Sequence, residues 1–290
     1  MKIIFAKHIG FCFGVKRAIN IAEKSLKEDP KPIQFLGPLV HNEKVIAELK
    51  KKGGKIIAHL KEIKSGTLIL RAHGEVLNPK KIKTKKILIK DTTCPLVKKV
   101  QIIANFLQKS GYKVIIFGDK NHPETKGIKG YTKDRALIIE NENQAKAPHF
   151  LKKVRGKKIG IVAQTTQNLE KFNKILKILE NKANKIKWFN TICPEVIVRQ
   201  RELDEILKSC DGLLVIGSHT SANTKRLAEK GRKLKKQVFW VNSLEELKRR
   251  KIKGVSSLGV VSGTSTPDWE IKKIKKWLDY NPPTPWLIDS

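Results

Sequence analysis

One stretch of this chain occurs twice. DTTCPLVKKVQ (91–101) is matched by NTICPEVIVRQ (190–200) at an offset of 99, with Thr92/Thr191, Cys94/Cys193, Pro95/Pro194, Val97/Val196 and Gln101/Gln200 in register. The offset carries on downstream: Gly118 of VIIFGDKNHPE falls on Gly217 of LLVIGSHTSAN, His122 on Ser221, and Glu124 on Asn223. An earlier copy reads FCFGVKRAI followed by QFLGPLVHNE, where Cys12 takes the place of the cysteine, Gly37 of the strand-end glycine, His41 of the fourth residue on and Glu43 of the sixth. The cysteine-to-glycine separations are 25, 24 and 24. Self-similarity of this kind restricts the fold to versions of one supersecondary unit.

The pattern within each copy says which unit. Short β-branched runs at Lys2–Phe5, Ile33–Leu36, Thr67–Leu70, Ile87–Ile89, Val114–Phe117, Lys158–Val162, Gly212–Ile216, Gln237–Val241 and Gly259–Val261 read as buried strands. Amphipathic stretches at Val15–Leu26, Leu96–Lys109, Lys171–Asn181 and Glu195–Lys208 read as helices between them. Strands that alternate with helices predict parallel sheets covered on both faces. The expected fold is therefore α/β, with three small parallel-sheet domains at 1–92, 93–191 and 192–290, the last carrying the C-terminal tail. Ligands of open parallel sheets bind beyond the carboxyl ends of the strands. A pseudo-threefold arrangement would aim the strand-end loops of all three domains at one centre. A further strand end in each copy carries a polar tip: His73 in LILRAHG, Thr165 in GIVAQTT and Ser265 in GVVSGTS. Only the Pro-rich tail Asn281–Pro285 reads as disordered.

Charge narrows the function. The 290 residues include 61 Lys+Arg against 27 Asp+Glu, a net +34. Such a balance favours an acidic partner, a small anion or nucleic acid. The basic residues are 51 Lys and 10 Arg, and Arg is the one suited to bidentate reading of bases and phosphates. The lysines are spread along the chain with no basic tail, which weighs against nucleic acid. The longest apolar runs, Val114–Phe117 and Leu213–Ile216, are far too short to cross a bilayer, and MKIIFAKHIG has no signal-peptide apolar region. A cytoplasmic protein is expected, and a monomer, since no heptad or long exposed strand suggests an interface. The chain has no GxxxxGKS/T and no strand-coupled GxGxxG, which argues against nucleotide chemistry.

Three of the four cysteines belong to the repeat: Cys12, Cys94 and Cys193. Cys210 falls opposite Gly111, before a buried strand, and reads as a structural thiol. Thiolates from three separate units can hold a soft metal. No fourth Cys or His has usable spacing for a closed zinc site, so the set fits either zinc with water or a [4Fe–4S] cluster with one iron open to substrate. Around it, His41, His73 and His122 offer imidazole donors, and Ser221, Asn223 and Ser265 offer hydroxyl or amide groups. Six donors suit an anion such as a diphosphate. Glu124 is the natural proton donor, because burial beside an apolar ligand raises a carboxyl pKa, and Thr165 could relay a proton or bind a substrate hydroxyl. His8, His59 and His149 lack repeat support, while His219 could line the cavity.

GFCFGVKRAI, LVHNEKV, RAHG, DTTCPLV, GDKNHPE, AQTTQN, NTICPEVIVRQ, GSHTSANTKRL and SGTSTPD resemble, in order and spacing, the motifs of the LytB-type 4-hydroxy-3-methylbut-2-enyl diphosphate reductases, across essentially the whole chain. The resemblance implies an iron–sulfur oxidoreductase of the last step of the non-mevalonate isoprenoid pathway. Such an enzyme reductively removes an allylic hydroxyl to give isopentenyl and dimethylallyl diphosphate. It also implies a central [4Fe–4S] cluster held by Cys12, Cys94 and Cys193, with the substrate hydroxyl on the open iron. The diphosphate would then be held by His41, His73, His122, Ser221, Asn223 and Ser265, with Thr165 beside the hydroxyl and Glu124 delivering protons. Electrons would come from an acidic ferredoxin or flavodoxin. The chain departs from the family pattern at Ala222, between Ser221 and Asn223, at Thr264 and Thr266 beside Ser265, and at Glu195-Val196-Ile197. Two alternatives remain: a basic nucleic-acid-binding protein with a structural metal site, and a cluster-dependent dehydratase that needs no reductant.

Overall fold

Strands form where β-branched and leucine side chains run together, and the computed structural model, which describes residues 1–74, 87–250 and 252–280, places twelve of them. They are β1 Lys2–Phe5, β2 Ile33–Leu36, β3 Lys55–Ile57, β4 Gly66–Leu70, β5 Ile87–Asp91, β6 Lys113–Phe117, β7 Leu137–Ile139, β8 Lys158–Ala163, β9 Lys185–Trp188, β10 Gly212–Ile216, β11 Gln237–Val241 and β12 Ser257–Ser262. The Pro-rich tail Asn281–Pro285 lies outside the described residues.

The strands make three four-stranded sheets, ordered β3-β2-β4-β5, β7-β6-β8-β9 and β11-β10-β12-β1. Every pairing is parallel. The fold is thus α/β with three parallel sheets, as the alternation predicts. Written in this direction the three orders are one order. The fourth place in each is held by the strand that runs into a cysteine loop: β5 before Cys94, β9 before Cys193, and β1 before Cys12. β1 therefore joins the sheet of residues 212–262, with Lys2 opposite Ser257 and Phe5 opposite Val260.

Nine strands follow the sequence pattern, and β3, β7 and β9 do not. These three are sheet edges of three or four residues, KII, LII and KIKW, with partly exposed side chains. An edge strand covered on one side needs no continuous apolar run, and lysine there discourages pairing with another chain. The paired central strands, such as β4 and β10, are buried at every residue.

The chain forms two compact units. One comprises residues 17–39 and 52–194 and holds the first two sheets; the other comprises residues 1–16, 40–51 and 195–290 and holds the third. In the first, the helix Pro95–Lys109 lies on β6 and β8. In the second, the helix Ala222–Lys233 lies on β10 and β11. No described helix is long and apolar enough to cross a membrane.

The repeat extends into the packing. A Cβ added to Gly160 on β8 would stand 2.8 Å from Leu107 Cδ2, and one on Gly259 of β12 would stand 2.4 Å from Ile206 Cγ2. Gly160 and Gly259, and Leu107 and Ile206, are each 99 residues apart. In both sheets a missing side chain on the strand lets the cysteine-following helix approach closely.

Gly160→Val should therefore overpack this contact and cost about 1–3 kcal/mol. Adding Leu107→Ala should restore part of that loss, so the double variant is more stable than the sum of the singles. Urea unfolding of the four proteins reads the coupling, and strict additivity would show that the two side chains do not share the space.

Candidate active site

The carboxyl ends of the strands are tied by hydrogen bonds that repeat from sheet to sheet. The strand-end glycines donate to the carbonyl that closes the neighbouring edge strand: Gly37 N–H to Ile57 O at 2.9 Å, Gly118 to Ile139 at 2.9 Å and Gly217 to Val241 at 2.8 Å. Each cysteine does the same to a tip of its sheet: Cys94 N–H to Ala72 O at 3.0 Å, Cys193 to Thr165 at 2.8 Å and Cys12 to Thr264 at 3.0 Å. This register makes His73, Thr166 and Ser265 equivalent. Thr165 stands one residue before that tip, level with Thr264, as the offset of 99 also gives.

In the first unit these ties assemble a continuous chain of groups. Pro123 starts the helix Pro123–Gly130, whose N-cap is His122, with Nδ1 accepting from Glu124 N–H at 3.2 Å. The cap fixes the ring of His122 and turns Glu124 inward, where it is 1% exposed. Its carboxylate accepts from Thr165 N–H at 2.6 Å and from Thr165 Oγ1 at 2.9 Å. The Thr165 carbonyl in turn takes the Cys193 N–H. On the other side the rings of His122 and His73 meet edge to face with centroids 5.6 Å apart, and Ala72, next to His73, takes the Cys94 N–H. Cys193, Thr165, Glu124, His122, His73 and Cys94 thus lie along one connected path. A buried carboxyl bonded through a hydroxyl is an arrangement suited to moving a proton.

The second unit holds the remaining predicted residues. Gly10, with φ of +89°, bends the chain into the Cys12 loop, and its N–H donates to Ser262 Oγ at 2.8 Å. Ser265 Oγ donates to the His41 carbonyl at 3.0 Å. Ser221 caps the helix Ala222–Lys233 by accepting from Thr224 N–H at 3.3 Å. Asn223 is 2% exposed, and neither its amide oxygen nor its amide nitrogen has a hydrogen-bond partner among the described residues. A buried amide with both ends unsatisfied costs stability unless something else bonds to it. The flanking Thr266 turns its hydroxyl to Ile216 O at 2.9 Å.

Other side chains have different work. Cys210 is buried in an apolar cluster with Leu203, Leu207 and Leu213, and burial pushes its thiol pKa up. Cys12, Cys94 and Cys193 form no disulfide among the described residues and are partly exposed. His219 packs against Trp240 with the rings tilted at 45° and faces Glu246 at 3.4 Å, and His8 faces Glu202 at 3.3 Å. Two residues gain a role that the sequence reading did not assign. Gln164, buried before Thr165, accepts from Asp119 N–H and from Thr125 Oγ1 and so fixes the loop after β6. Glu43 accepts from Ser218 Oγ at 2.8 Å, Thr220 Oγ1 at 3.1 Å and Asn242 Nδ2 at 3.1 Å, which holds the loop before Ser221. Desolvation would raise the Glu43 pKa, but its own backbone N–H together with these donors outweighs it and leaves it lowered. Its signal was its place, sixth after Gly37, where Glu124 stands after Gly118.

Comparison with known proteins bears on the whole chain. Residues 3–279 match the family described as LytB protein. A Dictyoglomus turgidum protein named 4-hydroxy-3-methylbut-2-enyl diphosphate reductase is 42% identical over 279 residues, covering 94% of this chain and 95% of its own. A Geobacter metallireducens protein of the same name is 39% identical over 276 residues, covering 94% and 95%. The solved structure of the E-1-hydroxy-2-methyl-but-2-enyl-4-diphosphate reductase from Plasmodium falciparum superposes with a TM-score of 0.85 at 32% identity, covering 97% of this chain and 89% of that one.

Glu43 carries a pH test. Its carboxylate is lowered from an ordinary 4.5, so its stabilisation is present above that value and is lost as pH falls through the folded-state value. Glu43→Gln should be less stable than the native chain by about 0.5–1 kcal/mol at pH 7, and the gap should close on acidification. A gap that stays constant from pH 7 to about pH 3 would show that the ionised carboxylate contributes nothing.

Proposed function

The chain belongs to the LytB family, and on that premise we propose that it reduces 4-hydroxy-3-methylbut-2-enyl diphosphate to isopentenyl and dimethylallyl diphosphate. The reaction takes up two electrons and two protons, breaks the allylic C–O bond and releases water. It is the terminal step of the non-mevalonate pathway. The observation that carries the reading is the Glu124 carboxylate, buried and bonded at both oxygens by Thr165, on loops tied to Cys193. The family leaves the nucleic-acid alternative without support.

The residues fit the expected cofactor. Three cysteines outside any disulfide, partly exposed, occupy equivalent places after the fourth strand of a sheet, and a set of thiolates alone suits iron and sulfide. In this reading Cys12, Cys94 and Cys193, one from each of the domains 1–92, 93–191 and 192–290, hold one [4Fe–4S] cluster. Bound there, the cluster would supply electrons and a Lewis-acidic iron. One chain carries the full ligand set, so a monomer suffices.

The protein's own groups do the rest. His41, His73, His122, Ser221, Asn223 and Ser265 hold the diphosphate, and the two buried amide atoms of Asn223 acquire partners in doing so. Ala222 brings no side-chain hydroxyl to the diphosphate, but its backbone N–H can still donate. The Thr165 hydroxyl bonds the substrate hydroxyl and passes on a proton from Glu124 Oε2, 2.9 Å away. Departing water leaves with that proton. A net charge of +34 speeds encounter with an acidic electron donor such as ferredoxin or flavodoxin.

Glu124→Gln should keep iron and substrate affinity and lose about 10²–10⁴ in kcat, measured with a chemical reductant and an isothermal binding assay. A near-native rate would remove Glu124 from the proton path. Cys94→Ser should lose iron while Cys210→Ser keeps it, by iron and sulfide analysis of anaerobically purified protein. Turnover without any electron donor would favour the dehydratase.

A further inference from the structure

Two arginines do not belong to the set that binds substrate, yet both reach the main chain just ahead of a cysteine. Arg17 lies one turn into the helix Phe13–Glu28. Its Nη1 donates to Thr93 O at 3.2 Å and Thr92 O at 3.4 Å, the carbonyls that lead into Cys94. Arg199 lies on the helix Pro194–Lys208 and is 4% exposed. Its Nη2 donates to Gly10 O at 2.9 Å, two residues ahead of Cys12. Its Nη1 donates to Ser262 O at 3.3 Å and Gly263 O at 3.4 Å, on the tip that leads to Ser265. Nε and Nη2 also bond Glu195 Oε1 at 3.0 and 2.8 Å. Glu195 is one of the departures from the family pattern, and here it is the counter-ion of a buried guanidinium.

A buried charge persists only when its donors are satisfied, so Arg199 holds its loop partners as firmly as they hold it. We propose that Arg17 and Arg199 are positioning residues for the cysteines: Arg17 fixes the loop of Cys94 and Arg199 the loop of Cys12. The assignment rests on reading those cysteines as cluster ligands. Outer partners that fix a ligand typically change metal retention or activity by about 10–100-fold when removed.

The two clamps differ in kind. Arg17 works through one nitrogen, which a lysine ammonium can imitate. Arg199 spreads three nitrogens over several acceptors, which it cannot.

Hydrogen exchange of the full-length protein, read by mass spectrometry on peptides spanning 8–13 and 90–96, tests the assignment. Arg199→Gln should speed exchange at the Cys12 loop about tenfold, the loss of one charged hydrogen bond, and leave the Cys94 loop unchanged. Arg17→Gln should do the reverse. Arg17→Lys should restore its loop and Arg199→Lys should not. Iron release from the holoprotein to a chelator should quicken about tenfold in both glutamine variants. If Arg199→Gln does not fold, Glu195→Gln should loosen the same loop to a smaller degree.

Loosening of both loops by either variant would mark a general loss of stability and overturn the proposal. So would unchanged exchange, or iron release that ignores a loosened loop. A native chain that binds no iron overturns the cluster reading instead, and the loop-specific exchange distinguishes the two failures.

Discussion

The proposed site depends on one main-chain hydrogen bond made three times, from a cysteine N–H to the carbonyl at a strand tip. A strand end is the natural place for a ligand in a parallel sheet, but it is also where the ladder stops and backbone groups lack partners. Joining the cysteine loop to the tip satisfies those groups and gives the thiol a fixed address. The glycine at the end of the adjacent strand makes a second tie of the same kind. Together they turn loops into rigid mounts for short side chains.

The mounts are alike, and what they carry is not. The sixth residue after the strand-end glycine is Glu43, Glu124 or Asn223. Glu43 is spent on three donors that hold a neighbouring loop. Glu124 is enclosed against Thr165. Asn223 offers an amide that its own surroundings leave unsatisfied. One acid is structural, one is catalytic in the proposed reaction, and the third position has given up its charge, as a neighbour of an anionic group would require. Repetition supplied the frame, and single substitutions divided the labour within it.

Much of this was legible in the residues. The central strands could be read because they are buried on both faces and so are apolar without interruption. The edges β3, β7 and β9 could not: KII and LII are only three residues long, and KIKW alternates lysine with apolar residues like a surface segment. Cysteines, strand-end glycines and polar tips stood out by position. Thr165 was marked by its chemistry, and the offset of 99 that sets it against Thr264 agrees with the Cys193 and Cys12 hydrogen bonds. Gln164, Arg17 and Arg199 were silent because they act on backbone carbonyls and loops, a role with no fixed spacing.

The place of β1 has a temporal consequence. Its partner β12 begins about 250 residues later, Lys2 lying opposite Ser257. Of the described strands, β1 is the earliest to leave the ribosome and the last to find its seat, and the Cys12 loop stays unanchored until β12 has emerged. The two sheets of residues 33–188 can close during synthesis; the third waits for its far end, as non-local pairing requires. On the proposed reading, a cofactor that needs Cys12 as well as Cys94 and Cys193 can be fully held only once β12 has been made.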